Sequence, residues 1–331
     1  MKLRSRRLPG TELDLSVLCL GTVPVGGIIS EDDSFRLMDA YAEAGGNFLD
    51  TAEIYSNWLD GVEPSLAETR IGRWLRARGL GTEIVVATKG GHPRWGSLDR
   101  MRLGRDEIRA DLAGSLDRLG LDCIGLYYVH RDDPARPVGE IMDTLAEVVA
   151  QGIVRWIGCS NWRADRIEAA QAYARRNGLP ALVIDQMRWS LGRVNPETQR
   201  IPGLVEMDDR LHEYHVDTQM PAAAYSSQAQ GFFSGAYGRD IARPEARAAE
   251  KVIGYYGSDE NYRRLDRVLL MAERLGRPPT HVALGYLVGQ PFPTWPIIGP
   301  STVEHLNESL AAHDLAFCPE ELLWLATGER A

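Results

Sequence analysis

The chain has 331 residues, of which 44% are hydrophobic and 25% charged, and its formal net charge is −9. This negative charge, with no basic cluster longer than the one at 4–7, argues against nucleic acid or an anionic membrane as a partner. No apolar run reaches the roughly 18 residues of a membrane-spanning helix, so we expect a cytoplasmic protein.

Strand-like apolar runs alternate with helical patterns along the chain, after a short hairpin at residues 2–14. The runs lie at 17–20, 47–50, 84–89, 124–130, 154–160, 182–186, 220–226 and 294–299. The helical patterns follow a cap at 30–33 and then lie at 64 to about 78, around 108–119, around 141–149, about 163–176, around 205–214, at 279–289 and from 302. A further helical stretch near 260–275 lies inside the long connection before the seventh of these helices. Eight βα units result.

Eight repeats with continuously apolar strands predict an all-parallel sheet covered by helices. At this length we expect the sheet to close into one (β/α)8 TIM barrel, a single domain over residues 1–331 with an N-terminal β-hairpin and long loops at the C-terminal face. The competing doubly wound sheet would show a GxGxxG turn after its first strand, which the segment from Gly21 to Gly27 lacks. Chemistry is therefore expected at the C-terminal ends of the strands.

Three consecutive strand ends carry Asp50, Lys89 and His130, and Tyr55 follows the first of them. A buried carboxylate needs a cationic partner, so we expect Asp50 to contact Lys89. One ammonium about 4 Å from a phenol, at an effective dielectric near about 20, supplies the roughly 4 kcal/mol that lowers a tyrosine pKa from about 10 towards 7. Tyr55 is thus predicted to be a general acid with a lowered pKa, beside a neutral His130 that orients a substrate oxygen. Such a site suits carbonyl reduction.

The motifs around these residues occur in one order over nearly the whole chain. They are Asp50-Thr-Ala-Glu-Ile-Tyr55, Ala87-Thr-Lys89-Gly90, Tyr127-Tyr-Val-His130, Ile157-Gly-Cys-Ser160-Asn161, Gln186, Ala224-Tyr225-Ser226 with Gln230-Gly231, and Ile297-Ile-Gly299. This pattern resembles the aldo-keto reductase superfamily. The resemblance implies that Tyr55 is the proton donor, that Lys89 and Asp50 tune it, and that His130 positions the carbonyl. It also implies NADPH, ahead of NADH, bound in extended form without a Rossmann domain.

The resemblance assigns cofactor contacts to the strand ends and the loops after them. Ser160, Asn161 and Gln186 would hold the nicotinamide carboxamide, and Tyr225 would stack on its ring. The full set of expected cofactor-binding residues is Gly21, Thr22, Asp50, Ser160, Asn161, Gln186, Tyr225, Ser226, Gln228, Gln230, Gly231, Ile298, Gly299, Ser301, Thr302, His305, Glu308 and Ser309.

Two departures from the family pattern bear on the cofactor. After the eighth strand the family often presents basic residues to the 2′-phosphate, whereas this chain offers Ser301, Thr302 and His305. An arginine is common where His305 stands, and an asparagine where Ser309 stands. The usual Ser-Pro-Leu after Tyr225 is Ser-Ser-Gln at 226–228. Without an arginine fork we expect a weaker NADP preference, and a different contact to the pyrophosphate.

Several residues near the strand ends have two interpretations. Trp58, Trp95 and Trp189 follow the second, third and sixth strands and could wall the substrate pocket or pack under long loops. Asp132, just after His130, could bind substrate hydroxyls, although capping of the next helix is favoured. His212 and His215 are three apart on a helix, and we expect a solvated face and no metal site there.

Three functions remain open at this point. The first is an NAD(P)H-dependent reductase of a small aldehyde or ketone, ring-bearing or sugar-like because of the aromatic loops. The second is an alcohol or sugar dehydrogenase that uses the same site in the oxidative direction. The third is a non-catalytic, cofactor-sensing regulatory subunit, for which no exposed apolar stripe or extra domain is visible in the sequence.

Overall fold

A computed structural model of the chain describes residues 2–198, 201–239 and 247–329. Its strands are β1 Ser5–Arg7, β2 Asp14–Ser16, β3 Cys19–Gly21, β4 Phe48–Asp50, β5 Val85–Gly90, β6 Ile124–Val129, β7 Val154–Ser160, β8 Asp185–Arg188, β9 Ala222–Tyr225 and β10 Thr294–Ile298. Its helices are α1 Glu31–Glu43, α2 Leu66–Arg78, α3 Arg105–Leu119, α4 Val138–Ala150, α5 Ala164–Asn177, α6 Asp209–Thr218, α7 Arg247–Tyr256, α8 Asp259–Leu275, α9 Pro279–Val288, α10 Val303–Leu310 and α11 Pro319–Thr327.

Strands β3 to β10 form a closed barrel in the order β10-β3-β4-β5-β6-β7-β8-β9, and every neighbouring pair is parallel. The predicted (β/α)8 fold is confirmed. Because all these strands run the same way, their C-terminal ends meet at one mouth. No helix in the described ranges combines the length and apolarity needed to cross a bilayer.

Side chains along each strand alternate between the barrel interior and the helix layer, as the pleat requires. In β6, Leu126 and Tyr128 belong to the interior cluster, whereas Tyr127 and Val129 pack in the cluster under the helices. All four are completely buried. Each full burial of such a side chain contributes about 1.5–3 kcal/mol, so the strand is fixed in register from both faces.

The N-terminal hairpin closes the opposite end of the barrel. β1 and β2 pair antiparallel, with Ser5 opposite Ser16, which confirms the predicted hairpin and extends it by two residues. Leu8 and Leu15 of the hairpin share the interior cluster with Trp295. The barrel is therefore filled and covered at its N-terminal end, and the opening lies where the polar strand ends are.

One helix begins later than the sequence indicates, and two helices were not expected. The sixth helix was expected at 205–214, but α6 begins at 209 because residues 205–207 hydrogen-bond to the backbone of Arg188 instead. The Asp208 side chain then caps α6 by accepting the N–H of Leu211. Helices α7 and α11 were not expected.

Candidate active site

A cavity of about 730 Å³ opens at the C-terminal mouth of the barrel. All the residues expected to bind the cofactor line it except Thr22 and Thr302. Thr22 is buried and donates its hydroxyl to the Asp50 carbonyl oxygen at 2.9 Å. Thr302 caps α10 by accepting the N–H of His305. Both threonines thus stabilise the chain next to the cavity.

Lys89 joins the acidic and phenolic groups of the site. Its Nζ donates to Asp50 Oδ2 at 2.8 Å, to the Thr51 carbonyl oxygen at 2.8 Å and to Tyr55 Oη at 3.0 Å. The Lys89 side chain is completely buried and that of Asp50 is 3% exposed. Gln186 Nε2 donates to the second Asp50 oxygen at 2.7 Å. All three ammonium donors are therefore engaged, and the expected Asp50–Lys89 contact is present.

A strained turn holds Tyr55 above Lys89. The Tyr55 N–H donates to the Ala52 carbonyl oxygen, and the next residue, Ser56, has a φ of 96°. Positive φ is costly for a residue with a side chain, and such strain persists only where the surroundings enforce it. Ser56 is fully buried, and its hydroxyl has no hydrogen-bond partner in the described ranges. The turn that positions the Tyr55 phenol is therefore strained, and this strain lowers the stability of the folded protein.

The pKa of Tyr55 differs from the sequence expectation. Burial raises this pKa above its ordinary 10.0; Lys89 opposes the rise and Asp50 adds to it. The expected lowering towards 7 is wrong because it counted the ammonium alone. Burial also acts to lower the pKa of Lys89, but Asp50 and Tyr55 outweigh it, so the lysine pKa is raised. At neutral pH the site holds a charged ammonium and a neutral phenol, which is the proton-donating form.

His130 lies beside Tyr55, with ring centroids 6.1 Å apart. Burial lowers the pKa of His130 well below 6.5, and His92, Lys89 and Arg131 lower it further. The imidazole is therefore neutral, as the sequence interpretation required.

His92 was not found by sequence reasoning, although it follows Lys89 by only three residues. Its ring centroid lies 4.7 Å from that of His130. Its Nδ1 lies 2.6 Å from the Pro93 carbonyl oxygen and its Nε2 lies 3.1 Å from Arg131 Nη2. Burial lowers the pKa of His92 to about 4. The neutral His92 ring therefore packs against the neutral His130 ring.

Asn161 connects three strand ends. Its amide nitrogen donates to the His130 carbonyl oxygen at 3.1 Å and to Ser160 Oγ at 3.0 Å. Its amide oxygen accepts from the Tyr225 hydroxyl at 2.7 Å and from the Val205 N–H at 3.1 Å. Burial raises the pKa of Tyr225 to about 12, so this phenol stays a donor. The network aligns β6, β7 and β9 around the cavity.

The described residues fit an extended dinucleotide. The amide groups of Asn161 and Gln186 line the cavity beside Tyr55, and small polar groups line its other end. There Gln228 Nε2 donates to Ser309 Oγ at 3.1 Å. Residues 229–231 all have positive φ, and in this turn the N–H groups of Ala229 and Gly231 donate to the carbonyl oxygens of Ser226 and Gln228. This donor set suits a carboxamide at one end and a pyrophosphate and ribose at the other.

The three tryptophans have different places. The Trp58 ring lies 6.1 Å from that of Tyr55 and 6.0 Å from that of Trp95, which is 52% exposed. These two therefore lie on the Tyr55 side of the mouth. None of the three tryptophans is among the residues that line the cavity, and of the two interpretations Trp189 follows packing under a loop. Trp189 is buried, and its ring stacks on that of Phe292 with centroids 5.6 Å apart, in the apolar packing outside the barrel.

Asp132 and His215 also depart from expectation. Asp132 neither faces the cavity nor caps a helix, since both its oxygens accept from Arg166 of α5. His215 is completely buried instead of solvated, with Nδ1 2.7 Å from the Met220 carbonyl oxygen and Nε2 3.4 Å from Asp185. Within the described ranges, no group of three or more His, Cys, Asp or Glu is arranged to hold a metal.

Some cavity residues gave no sequence signal. Thr280 comes from the start of α9 and donates to Glu308 at 2.8 Å, and Leu204 comes from the segment before α6. Neither lies at a strand end. Ser227 could have been found as the neighbour of Tyr225 and Ser226, and its hydroxyl donates to the Ile297 carbonyl oxygen at 2.7 Å.

Comparison with known proteins agrees with this geometry. The sequence model of the aldo/keto reductase family matches residues 17–323. The uncharacterized oxidoreductase YrpG of Bacillus subtilis (strain 168) is 32% identical over 321 residues, covering 95% of this chain and 92% of that protein. The aryl-alcohol dehydrogenase [NADP(+)] of Phanerodontia chrysosporium is 30% identical, covering 97% and 85%. The norsolorinic acid reductase of Aspergillus flavus is 30% identical, covering 93% and 76%. The chain therefore belongs to the aldo/keto reductase family of enzymes.

Proposed function

We propose that this protein is an NAD(P)H-dependent carbonyl reductase that converts a small aldehyde or ketone to the alcohol, with Tyr55 as proton donor. One observation carries the proposal: a neutral phenol contacts a buried ammonium at 3.0 Å, at the edge of a cavity that can take a dinucleotide. The names of two relatives, a norsolorinic acid reductase and an aryl-alcohol dehydrogenase [NADP(+)], support oxidoreductase chemistry of this class.

The bound nicotinamide cofactor supplies the hydride. Ser160 and Gln186 would present hydroxyl and amide groups to its carboxamide, and Tyr225 would present an aromatic ring to the same part of the cavity. Asn161 lies between them, and its own amide hydrogen bonds to His130, Ser160, Tyr225 and Val205 hold the strand ends in place. Because Asn161 is held by hydrogen bonds from two other strand ends, this polar set is preorganised.

The proton-transfer machinery belongs to the chain itself. The neutral His130 donates a hydrogen bond to the substrate carbonyl oxygen and directs it towards the Tyr55 hydroxyl. Tyr55 then gives its proton to the developing alkoxide, and Lys89 stabilises the phenolate that remains. Asp50 keeps the ammonium in place at 2.8 Å. Lys89, Asp50 and His130 are buried, which keeps water from them and strengthens these interactions.

For the cofactor we propose NADPH ahead of NADH, with a weak preference. The support for NADPH is the printed name of one relative. Against a strong preference, the described lining after β10 offers Ser301, His305 and Glu308 but no lysine or arginine. A 2′-phosphate gains most from an arginine fork.

The oxidative direction is a second candidate, favoured by the dehydrogenase name of one relative. It would require Tyr55 to accept a proton as phenolate. Because burial raises the pKa of Tyr55, this form is scarce at neutral pH, and oxidation should accelerate in alkali. We therefore propose reduction as the main activity, in the cytoplasm, on small molecules and not on nucleic acid or membranes.

A substrate screen tests the proposal. The purified protein is mixed with NADPH or NADH and a panel of aromatic, aliphatic and sugar aldehydes and ketones. Loss of the absorbance of reduced nicotinamide should accompany equimolar formation of alcohol. Absence of turnover with both cofactors over the whole panel, together with a stable dinucleotide complex, would refute reductase activity and favour a cofactor-sensing subunit.

A further inference from the structure

Arg131 is a buried cation in the cavity wall. It follows His130 at the end of β6, is 6% exposed and lines the same cavity as Tyr55. Its Nη1 is buried without a hydrogen-bond partner in the described ranges. Its Nη2 lies 3.1 Å from His92 Nε2, a neutral group. One amino group of this guanidinium therefore contacts a neutral nitrogen, and the other is buried without a partner.

The acids near Arg131 are committed to other cations. Asp50 is paired with Lys89 at 2.8 Å, and the neighbouring Asp132 with Arg166 at 2.9 Å. Among the described residues, no carboxylate lies within 4.0 Å of the Arg131 guanidinium. An unpaired buried charge destabilises the folded protein. An anion that binds in the cavity next to Arg131 would compensate this unpaired charge and stabilise the folded protein.

His92 holds the guanidinium in a fixed position. Its Nδ1 lies 2.6 Å from the Pro93 carbonyl oxygen, so Nδ1 carries the proton and Nε2 accepts from Arg131. Arg131 donates to a neutral acceptor in this contact, so its positive charge is not neutralised. A guanidinium held on one side presents its other N–H groups in a defined direction, which is the preorganisation that a binding site needs.

A second cation increases the positive potential nearby. The Arg188 guanidinium lies 6.0 Å from the Tyr225 ring centroid, and its Nη1 is also buried without a partner in the described part of the chain. Burial lowers the pKa of Arg131; Tyr225 and Tyr55 act to raise it, and Arg188 lowers it further. Both cations therefore act on Tyr225, and Arg131 also acts on Tyr55.

We propose that Arg131 is a specificity-determining residue that binds a carboxylate of the substrate, so that the preferred substrates are carbonyl compounds carrying an anionic group. This inference rests on the proposed reductase function, which it narrows to a substrate class. A planar guanidinium with free N–H groups matches a carboxylate in geometry and charge. The cofactor phosphates are another source of anion, and the measurements below separate the two.

The first measurement compares matched substrates. The ratio kcat/KM is determined for 3- and 4-carboxybenzaldehyde and for their methyl esters, with the wild type and with R131M, R131K and R163M. R163M is the control: the Arg163 side chain is 79% exposed, and its replacement removes the same charge outside the cavity. We expect the wild type and R163M to prefer at least one acid over its ester by about 10- to 100-fold, the range of one charge-assisted hydrogen bond. R131M should lose this preference and R131K should retain part of it.

The second measurement is binding without turnover. The affinity for benzoate is measured by calorimetry on the wild type and R131M, with and without NADPH, and NADPH affinity is measured alone. We expect R131M to weaken benzoate binding at least 10-fold and to leave NADPH affinity within about twofold. A large loss of NADPH affinity with unchanged benzoate binding would assign Arg131 to a cofactor phosphate and overturn the proposal.

The outcomes separate this inference from the proposed function. Rapid reduction of the esters with no acid preference in the wild type would overturn the carboxylate site and leave the reductase intact. Arg131-dependent benzoate binding without reduction of any aldehyde would support the carboxylate site and refute the reductase. If R131M fails to fold, as judged by thermal unfolding, R131K decides: an acid preference in R131K equal to that of the wild type overturns the proposal.

Discussion

The buried Lys89–Asp50 pair can be removed one partner at a time, and stability and activity should then respond differently. Lys89→Met leaves the Asp50 carboxylate, whose side chain is 3% exposed, without a cation. Breaking a buried pair in this way costs about 3–5 kcal/mol of unfolding free energy. The double variant Lys89→Met/Asp50→Asn leaves no uncompensated charge and should recover most of that loss.

Activity should not recover in the double variant. Nζ lies 3.0 Å from Tyr55 Oη, where a unit charge contributes about 5.5 kcal/mol at an effective dielectric of about 20, before the opposing charge of Asp50 is counted. If about 3 kcal/mol of this acts on the transition state, kcat falls roughly 100-fold in both variants, at 1.36 kcal/mol per tenfold.

Urea unfolding and steady-state aldehyde reduction measure the two effects on the same preparations. The matched control is the Arg118–Glu68 pair, 2.7 Å apart, between α2 and α3, with Glu68 completely buried. Arg118→Met should destabilise, Arg118→Met/Glu68→Gln should recover, and both should keep kcat near wild type. Wild-type kcat in Lys89→Met/Asp50→Asn would refute the role given to the ammonium. Unchanged stability of Lys89→Met would refute the burial argument.

Three further outcomes follow from the same structure. Because the pKa of Tyr55 lies above 10.0, kcat/KM for reduction should show no loss near pH 7 from this group; a titration there would contradict the raised pKa. The pKa of His92 is lowered to about 4, so this side chain resists protonation in the folded state. The stability that neutral His92 contributes is complete above about pH 6.5 and is lost as pH falls towards 4, by roughly 3 kcal/mol. His92→Asn should flatten the pH dependence of unfolding in that window, and an unchanged slope would exclude His92 as its source. Gly72→Ala would place a Cβ 2.2 Å from the Arg118 carbonyl oxygen and should destabilise by about 1–3 kcal/mol in thermal unfolding, whereas Gly254→Ala, with nothing within 4 Å, should not.

The contact between Asp50, Lys89 and Tyr55 could be predicted because it depends on topology. Parallel strands of one barrel bring their C-terminal ends together, and β4 and β5 are neighbours in register, with Asp50 opposite Ala87. The alternation of apolar runs and helical patterns in the sequence was enough to infer this. The cofactor residues outside the strand ends came only from family resemblance.

The direction of the Tyr55 pKa could not be inferred from sequence. It depends on how completely the phenol is buried and on how near Asp50 lies to the ammonium, and neither is encoded in spacing. The His92–Arg131 contact has the same origin, since it joins the ends of β5 and β6 through side-chain positions alone. For Trp189, its place after a strand left two interpretations open, and packing against Phe292 determined where its ring lies.

The Tyr55→Phe variant tests the central claim most directly, because it removes one oxygen and keeps the ring. NADPH affinity and aldehyde reduction are measured on the same preparation. The phenol as proton donor predicts cofactor affinity within about twofold of wild type and a kcat lower by at least about 100-fold, the usual range for a lost general acid. A variant that still reduces the aldehyde at near the wild-type rate would contradict the claim.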